Sequence, residues 1–241
     1  MALPQWMART EVLLGEEMIQ KLMHANVLVV GLGGVGGICA EMIARAGVGK
    51  MTIVDADVVE ASNRNRQIPA LISTDGKLKS EVMAQRIRDI NPEIQLTVLS
   101  EFIRDERTNE ILDQGNFDYA VDCIDTLSPK VFFIKACIER NIPLVSSMGA
   151  GGKFDPTQVE VIDISETYQC NLARYVRKRL RKYGVREGFK VVFSPEAADQ
   201  SRIFESEKAY PKKSVIGTIS YMPAAFGITC ASVVIRDLLD K

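Results

Sequence analysis

The sequence is poor in cysteine, and its cysteines are scattered. There are five, and no two lie closer together than Cys123 and Cys137, so the sequence contains no C-x-x-C pair. This spacing excludes the zinc-knuckle type of metal site, whose ligands come in close pairs. The first ten residues, MALPQWMART, also lack the charged start and continuous apolar run of an export signal. Together these features predict reduced thiols and a cytoplasmic protein.

Histidine and excess charge are scarce as well. His24 is the only histidine, and its place near a predicted helix end indicates a structural role. The formal net charge is −1, which excludes electrostatic nucleic-acid binding by the molecule as a whole but leaves a local basic patch open. With 241 residues, 46% of them hydrophobic, the chain is long enough for one large α/β domain, or for one domain with a small appendage.

One stretch is apolar enough to be considered as a membrane span. Residues 215–235, VIGTISYMPAAFGITCASVVI, carry no charge and approach the length that crosses a bilayer. Pro223 lies in the middle of the stretch, and serine and threonine dilute it. We therefore expect a buried strand at residues 217–221, a turn at Pro223 and a packed helix after it. This interpretation predicts no stable membrane insertion.

Short apolar runs alternate with amphipathic stretches over the first 150 residues. The apolar runs predict five buried strands, at residues 26–30, 51–56, 94–100, 117–125 and 142–149. Helices are expected between these strands and before the first one, where the helix is broken near Gly15. Strict alternation of this kind predicts an α/β fold with a doubly wound, mainly parallel, Rossmann-like sheet.

The pattern changes after residue 150. Three elements follow, a half-exposed antiparallel strand, a basic helix and a further strand, at residues 157–165, 172–184 and 189–194. Residues 195–214 are polar and charged and contain two prolines, which predicts a long loop. We expect residues 151–241 to add an antiparallel extension and helices, including a last strand and helix, packed on the core that residues 1–150 form.

The first predicted strand leads directly into a cluster of glycines. Gly31, Gly33 and Gly36 spell G-x-G-x-x-G, the spacing that turns a backbone around phosphates at a helix N-terminus. Asp55 follows the next predicted strand, at the distance where an acid meets ribose hydroxyls. The pattern therefore predicts nucleotide binding, and it leaves a dinucleotide and ATP both open.

The residues beyond Asp55 favour ATP. The next segment brings cations, amides and a hydroxyl together, in Asp57, Ser62, Asn63, Arg64, Arg66 and Gln67. Lys79 begins the next helix, and Asp125 follows the fourth strand, at the sheet edge where ligands of open α/β sheets bind. Cleaving a triphosphate requires such fixed donors and cations, and a carboxylate like Asp125 suits Mg²⁺. Hydride transfer has no need of them.

Four motifs in residues 8–150 match a known family. They are VLVVGLGGVGG, AGVGKMTIVDADVVEASNRNRQ, GKLKSEVMAQRIRDINP and DYAVDCIDT. These motifs resemble the E1-like adenylating superfamily, the ThiF/MoeB/ubiquitin-activating group. The resemblance implies that residues 1–150 form an ATP-binding adenylation domain, usually in a homodimer. It also implies ATP-dependent adenylation of a carboxylate, with release of pyrophosphate.

The resemblance implies roles for single residues as well. Gly34 would touch the nucleotide, and Asp55 would bind its ribose. The phosphate path would be lined by Ser62, Asn63, Arg66 and Lys79. Asp125 would hold Mg²⁺. Arg9 would reach into the partner subunit's site, like an arginine finger supplied in trans.

The second half of the chain distinguishes branches of the superfamily. Activators of ubiquitin-like sulfur carriers typically have two C-x-x-C pairs and often a catalytic cysteine in a downstream loop, and this sequence has neither. SSMGAGGKFDPTQVEVIDISET, LARYVRKRLRKYGV and KVVFS resemble the branch that acts on tRNA. That resemblance implies adenylation of the carboxylate of N6-threonylcarbamoyladenosine in the anticodon loop, then cyclisation with loss of AMP. A sulfur-relay protein is a further expected partner.

Three alternatives remain beside this hypothesis. They are a sulfur-carrier activator of the same superfamily, an NAD-dependent oxidoreductase and a non-catalytic adaptor that binds nucleotide. The oxidoreductase is countered by the Asn/Arg/Lys set and by the lack of an acid–base pair for hydride transfer. The adaptor is countered by the intact set of Arg66, Lys79 and Asp125.

The predicted basic helix carries a strong local charge. Residues 171–190 contain eight lysines and arginines and one glutamate, a net charge of +7. Such density on a near-neutral protein indicates a phosphate-binding surface, since few acids are present to pair with the cations. We predict tRNA contacts from Arg174, Arg177, Lys178, Arg181 and Lys182.

Overall fold

A seven-stranded sheet forms the centre of the fold. The computed structural model describes residues 3–197, 203–205 and 214–240. The sheet strands are β1 (Asn26–Val30), β2 (Lys50–Val54), β3 (Gln95–Leu99), β4 (Tyr119–Asp122), β5 (Leu144–Ser147), β6 (Glu160–Asp163) and β7 (Lys190–Phe193). Their spatial order is β3-β2-β1-β4-β5-β7-β6, and every pair is parallel except β6 with β7. The predicted mainly parallel α/β sheet is confirmed.

Helices cover both faces of this sheet. They are α1 (Ala8–Leu14), α2 (Glu16–His24), α3 (Gly36–Arg45), α4 (Lys79–Ile90), α5 (Asp105–Gly115), α6 (Leu127–Glu139), α7 (Asn171–Leu180) and α8 (Tyr221–Leu239). The core on one face is shared with α3, α4 and α8, and the core on the other with α5, α6 and α7. The break between α1 and α2 falls at Gly15, whose φ of +79° ends the first helix.

Burial on both faces explains why the strands are continuous apolar runs. Four consecutive residues of β1, Val27 to Val30, are each at most 3% exposed. Their side chains alternate between the two cores, so neither face of the strand tolerates a polar residue. The strands therefore end where polar residues begin, and those polar residues gather at the edges of the sheet.

The order of the strands creates one crevice at the carboxyl edge. From β1 the chain proceeds outward to β2 and β3, then returns to place β4 on the other side of β1. The connections that follow β1 and β4 consequently diverge to opposite faces of the sheet. Ligands of doubly wound sheets bind at such a switch point, outside the carboxyl ends of the strands.

Elements of the last third of the chain extend this same sheet. β7 pairs in parallel with β5, and β6 pairs with β7 antiparallel, as the half-exposed pattern predicts. Asp237, in the last turn of α8, accepts hydrogen bonds from Tyr119 Oη on β4 at 2.7 Å and from Lys190 Nζ on β7 at 2.6 Å. The C-terminal helix is thus hydrogen-bonded to strands from both halves. A division near residue 150 stays a prediction.

The expected strand at residues 217–221 and the turn at Pro223 are wrong. The structure has a single 19-residue helix, α8, that begins at Tyr221. Pro223 lies in its first turn, where the missing N–H has no intrahelical partner to lose, so the proline is compatible with the helix. By length and composition α8 could cross a membrane, and half of its apolar 18-residue stretch is buried inside the fold. Phe226 and Cys230 pack in the core shared with α3.

The expectation of a loop at residues 195–214 is also corrected in part. Two short strands, β8 (Ile203–Glu205) and β9 (Ser214–Ile216), pair antiparallel, with Ile203 opposite Ile216. Each strand has only three residues, which is too short for an alternating pattern to show in the sequence. The rest of the predicted loop, residues 198–202 and 206–213, lies outside the described residues.

Candidate functional site

The glycine cluster forms a tight turn between β1 and α3. Gly31 adopts a φ of +89°, which other residues rarely adopt, and its N–H donates to Val54 O at 2.8 Å. A Cβ on Gly31 would lie 2.8 Å from Cys123 O, and a Cβ on Gly36 only 1.7 Å from Gly31 O. Side chains are therefore excluded sterically from both positions. The turn brings the N-terminus of α3 to the switch point.

The start of α8 packs against the same turn. A Cβ on Gly34 would lie 2.8 Å from Pro223 Cβ and 3.2 Å from Arg66 O. A Cβ on Gly33 would meet only the side chain of Gln67, at 3.7 Å, which is ordinary contact. The N–H groups and dipole of the ten-residue helix α3 then favour an anion at this place.

Asp55 connects the end of β2 to the glycine turn. One carboxylate oxygen accepts from Leu32 N at 2.6 Å and the other from Asp57 N at 2.8 Å. Burial raises the pKa of Asp55 above its ordinary value, although both N–H groups and nearby Lys79 oppose the shift. Each oxygen keeps a lone pair for a further donor. The carboxylate is thus fixed in position and still able to accept from ribose hydroxyls.

Lys79 places a buried cation beside this carboxylate. It is the first residue of α4, its side chain is 7% exposed, and its Nζ lies 2.9 Å from Asp57 Oδ2. Asp57 itself is 72% exposed. The arrangement provides an ammonium group whose only ion-pair partner among the described residues faces solvent. An incoming phosphate group can therefore compete for Lys79.

The segment after Glu60 holds the amide and guanidinium groups. Asn63 is buried and accepts from Glu60 N at 3.2 Å, which closes a short helical turn, while Ser62 is exposed. Arg66 donates from Nη1 to Ser62 O at 3.0 Å and to Asn65 Oδ1 at 2.8 Å. These bonds orient the guanidinium on the turn that carries it, and the backbone carbonyl of Arg66 lies next to Gly34.

Asp125 lies at the same edge, three residues after β4 ends. It is exposed, and the backbone two residues before it contacts the glycine turn through Cys123 O. Among the described residues no group of three or more His, Cys, Asp or Glu side chains could hold a metal alone. A single carboxylate fits Mg²⁺, which is usually held by one or two carboxylates together with phosphate oxygens and water.

Arg9 is the one predicted site residue that the single chain does not bring to the others. It is exposed on α1 and makes no hydrogen bond or ion pair with any described residue. Trp6, Val12 and Leu13, around it in sequence, are 39%, 88% and 81% exposed. A role in trans therefore stays a prediction.

A buried ion pair beneath Asp125 was missed from the sequence. Lys130 and Asp122 are both fully buried, with Lys130 Nζ 2.6 Å from Asp122 Oδ2, and Ser146 Oγ also donates to Asp122 at 2.6 Å. Burial raises the pKa of Asp122, against the attraction of Lys130. Asp122 Oδ1 accepts from Ile124 N at 3.0 Å, so the pair shapes the turn that carries Asp125. The signal for this pair in the sequence was Lys130, which directly precedes the apolar run VFFI.

Three thiols meet behind the glycine turn. Cys123 lies beside Cys39 of α3 and Cys230 of α8. Burial raises the pKa of Cys39, and the neighbouring Cys123 together with burial raises the pKa of Cys230. Neutral thiols are poor nucleophiles, so these two cysteines act in packing here. All five cysteines are free.

The helix α7 presents its cations to solvent. Arg174 and Lys178 on α7, with Arg181 and Lys182 in the 3-10 turn directly after it, are exposed, and we call these four the basic face. None of them forms an ion pair with a carboxylate in the described ranges. Arg177 differs from them, because it is half-buried and donates to Thr167 Oγ1. Burial and the neighbouring Arg181 lower the pKa of Arg177. Of the five cations predicted to contact tRNA, four are therefore exposed, and the fifth, Arg177, stabilises the helix through its hydrogen bond to Thr167.

These features define a doubly wound α/β protein that has, at its switch point, a glycine-rich turn of the kind that binds phosphates. We call the turn, Asp55, Arg66, Lys79 and Asp125 the switch-point site. A family model described as the ThiF family matches residues 7–241. The chain belongs to the ThiF family.

Relatives with specific names match nearly the whole chain. The tRNA threonylcarbamoyladenosine dehydratase of Bacillus subtilis is 39% identical over 239 residues, which cover 96% of this chain and 94% of the relative. A crystal structure of Escherichia coli tRNA N6-threonylcarbamoyladenosine dehydratase in complex with ATP matches with a TM-score of 0.88 and 38% identity, covering 98% and 94%. The sulfur carrier protein ThiS adenylyltransferase of E. coli is 37% identical over 137 residues, 56% of this chain and 54% of that protein.

Proposed function

We propose that this chain is an ATP-dependent enzyme that adenylates the carboxylate of N6-threonylcarbamoyladenosine in tRNA and then cyclises it. The adenylation is supported by the switch-point site, where the glycine turn, two cations and two carboxylates occur at one sheet edge. The tRNA substrate is supported by dehydratases that align over 94% or more of this chain, among them one in complex with ATP.

In the first step the carboxylate of the substrate attacks the α-phosphorus of ATP. A phosphoanhydride bond breaks, pyrophosphate leaves, and an acyl adenylate forms. We assign the turn residues Gly31, Gly33, Gly34 and Gly36 to the nucleotide phosphates. Asp55 and Asp57 would bind the ribose side, and Ser62, Asn63, Arg66 and Lys79 would stabilise charge on the phosphates. Asp125 would hold Mg²⁺, which neutralises phosphate charge when bound.

In the second step a nitrogen or oxygen of the substrate attacks the activated carbonyl. AMP leaves with the former carboxylate oxygen, and the nucleoside has lost one water in total. This step needs no thiol of the enzyme, in agreement with the burial of Cys39 and Cys230, which raises the pKa of both thiols. The role of the chain is to hold the adenylate and exclude competing water.

The assembly belongs to the same proposal. We infer a cytoplasmic homodimer in which Arg9 of each subunit completes its partner's site, because Arg9 is exposed and has no hydrogen-bond or ion-pair partner among the described residues. The basic face of α7, with Arg177 behind it, would hold the tRNA backbone. A sulfur-relay protein is a further partner in this proposal.

Mass spectrometry of tRNA nucleosides tests the reaction. The protein is incubated with ATP, Mg²⁺ and threonylcarbamoylated tRNA, and unmodified tRNA serves as the matched control. We expect the modified adenosine to lose the mass of one water, with AMP formed in equal amount. AMP formation that requires an added carrier protein ending in Gly-Gly, without loss of water from tRNA, would show the sulfur-carrier activator instead.

A further inference from the structure

Two aromatic side chains are exposed beside each other near the switch-point site. Phe154, in the connection after β5, is 67% exposed, and Tyr221, the first residue of α8, is 39% exposed. Their ring centroids lie 6.0 Å apart at an interplanar angle of 72°, an edge-to-face pair. Phe133, Phe193 and Phe226 are at most 1% exposed, and Phe154 is more exposed than Phe102, which is 47% exposed.

Hydrogen bonds hold the backbone that carries this aromatic pair. Tyr221 Oη donates to Phe154 O at 2.9 Å, and Phe154 N donates to the carboxylate of Glu196 at 2.8 Å. Lys153, whose side chain is buried, donates to Ser194 O at 3.0 Å and to Glu196 O. The rings are thus presented from a fixed segment, which reduces the entropy lost when a ligand stacks on them.

The same segment is joined to the switch-point site. Gly152 N donates to Gly217 O at 2.8 Å, and Asn65 Nδ2 donates to Thr218 O at 3.0 Å, next to Arg66. Two residues after Tyr221, Pro223 contacts Gly34 of the glycine turn. A ligand on the aromatic pair would therefore be adjacent to the residues assigned to the ATP phosphates.

The basic helix begins on the other side of this segment. A Cβ on Gly149 would lie 3.8 Å from Cβ of Leu172, in the first turn of α7. The aromatic pair thus lies between a surface suited to a phosphate backbone and the candidate site of adenylation. Unpaired RNA bases are recognised by this combination of cations and aromatic faces.

We propose that Phe154 and Tyr221 form a stacking surface for an unpaired base of the anticodon loop and so position the substrate nucleoside at the switch-point site. The inference rests on the proposed function and names the part of the site that holds the base rather than the phosphates. Both are positioning residues. Base–aromatic stacking contributes about five- to 150-fold in affinity, the equivalent of roughly 1–3 kcal/mol.

Two substitutions of Phe154 provide a matched test. Phe154→Leu keeps an apolar side chain and removes the ring, whereas Phe154→Trp keeps a ring that can stack. We expect the leucine variant to lose about five- to 150-fold in kcat/KM for modified tRNA, mostly through KM, with an unchanged Kd for ATP. The tryptophan variant should recover most of the loss. Equal melting temperatures of the variants show that folding is not the cause.

Tryptophan fluorescence at position 154 gives a second measurement, which would not change on RNA binding if Phe154 had only a structural role. Trp6 is the only tryptophan, so Phe154→Trp in a Trp6→Phe background reports on position 154 alone. We expect a modified anticodon stem-loop to quench this signal, and a fully double-stranded RNA of equal charge not to do so. An unquenched signal, or an unchanged kcat/KM in Phe154→Leu, would overturn the inference.

Wild-type protein separates this inference from the proposed function. If wild type removes water from the modified tRNA while Phe154→Leu does so equally well, the stacking surface is wrong and the function stands. If wild type does not act on tRNA, the function itself fails. A Phe154→Leu variant with normal tRNA kinetics but weakened response to a Gly-Gly carrier protein would assign the pair to a protein partner and overturn the inference as well.

Discussion

The switch-point site and the basic face of α7 are built in opposite ways. At the switch-point site, Asp55 accepts hydrogen bonds from Leu32 N and Asp57 N, Arg66 donates to Ser62 O, and Lys79 is almost buried. On the basic face, Arg181 and Lys182 are exposed and have no carboxylate partner in the described ranges. The difference follows from the proposed tasks, because transfer of an adenylyl group requires fixed atoms whereas a phosphate backbone is attracted by charge alone.

Removal of the Asp125 carboxylate is the change that should separate the two regions most sharply. We expect Asp125→Ala to lower kcat by at least about 1000-fold, because a bound metal would no longer neutralise the negative charge of the phosphates. The Kd for tRNA should be unchanged in a filter-binding assay. Glu106→Ala removes an exposed carboxylate from α5 and serves as the control. Full activity of Asp125→Ala would refute the Mg²⁺ assignment.

Breaking the buried ion pair should affect stability before chemistry. Lys130→Met leaves Asp122 buried without its cation, and we expect a loss of about 3–5 kcal/mol in the free energy of unfolding, measured by urea denaturation. Asp122→Asn combined with Lys130→Met removes both charges and should recover part of that loss. If the single variant unfolds like wild type, the pair does not hold the turn before Asp125.

A methyl group in the glycine turn tests how much exact geometry the nucleotide site needs. Gly36→Ala would place a Cβ within 1.7 Å of Gly31 O, so the turn must move, and we expect kcat/KM for ATP to fall about 100-fold. Gly217→Ala adds the same methyl where nothing lies within 4 Å, and it should bind ATP normally. Normal ATP kinetics in both variants would show that the turn does not contact the nucleotide.

Charge reversal on the basic face should have the smallest effect. Lys178→Glu with Arg181→Glu is expected to weaken tRNA binding about tenfold and to flatten the salt dependence of the Kd by roughly two phosphate contacts. ATP binding should be preserved. Arg88→Glu with Arg104→Glu reverses two exposed cations elsewhere and provides the control. Equal losses in both double variants would mean that general charge, rather than α7, attracts the RNA.

Local sequence patterns predict much of the fold and less of the environment of the site. Continuous apolar runs located β1, β2, β4 and β5 because burial on both faces leaves a clear signal, and the glycine spacing located the turn. β3 was also located, but it is an edge strand without a buried residue rather than the buried strand that was expected. Pro223 misled the interpretation of the last helix, since a proline in the first turn has the same local sequence as a proline in a loop. The contact of Lys130 with Asp122 depends on how β4 meets α6, which no local pattern encodes.

The position of Pro223 has a consequence for the order in which the protein is made. The glycine turn leaves the ribosome almost 200 residues before Pro223, the residue that packs on Gly34. Asp237 joins that late helix to β4 and β7. A nascent chain in which only the early strands have folded therefore has a glycine turn without Pro223 packed on it. The packing around the turn is completed when α8 docks.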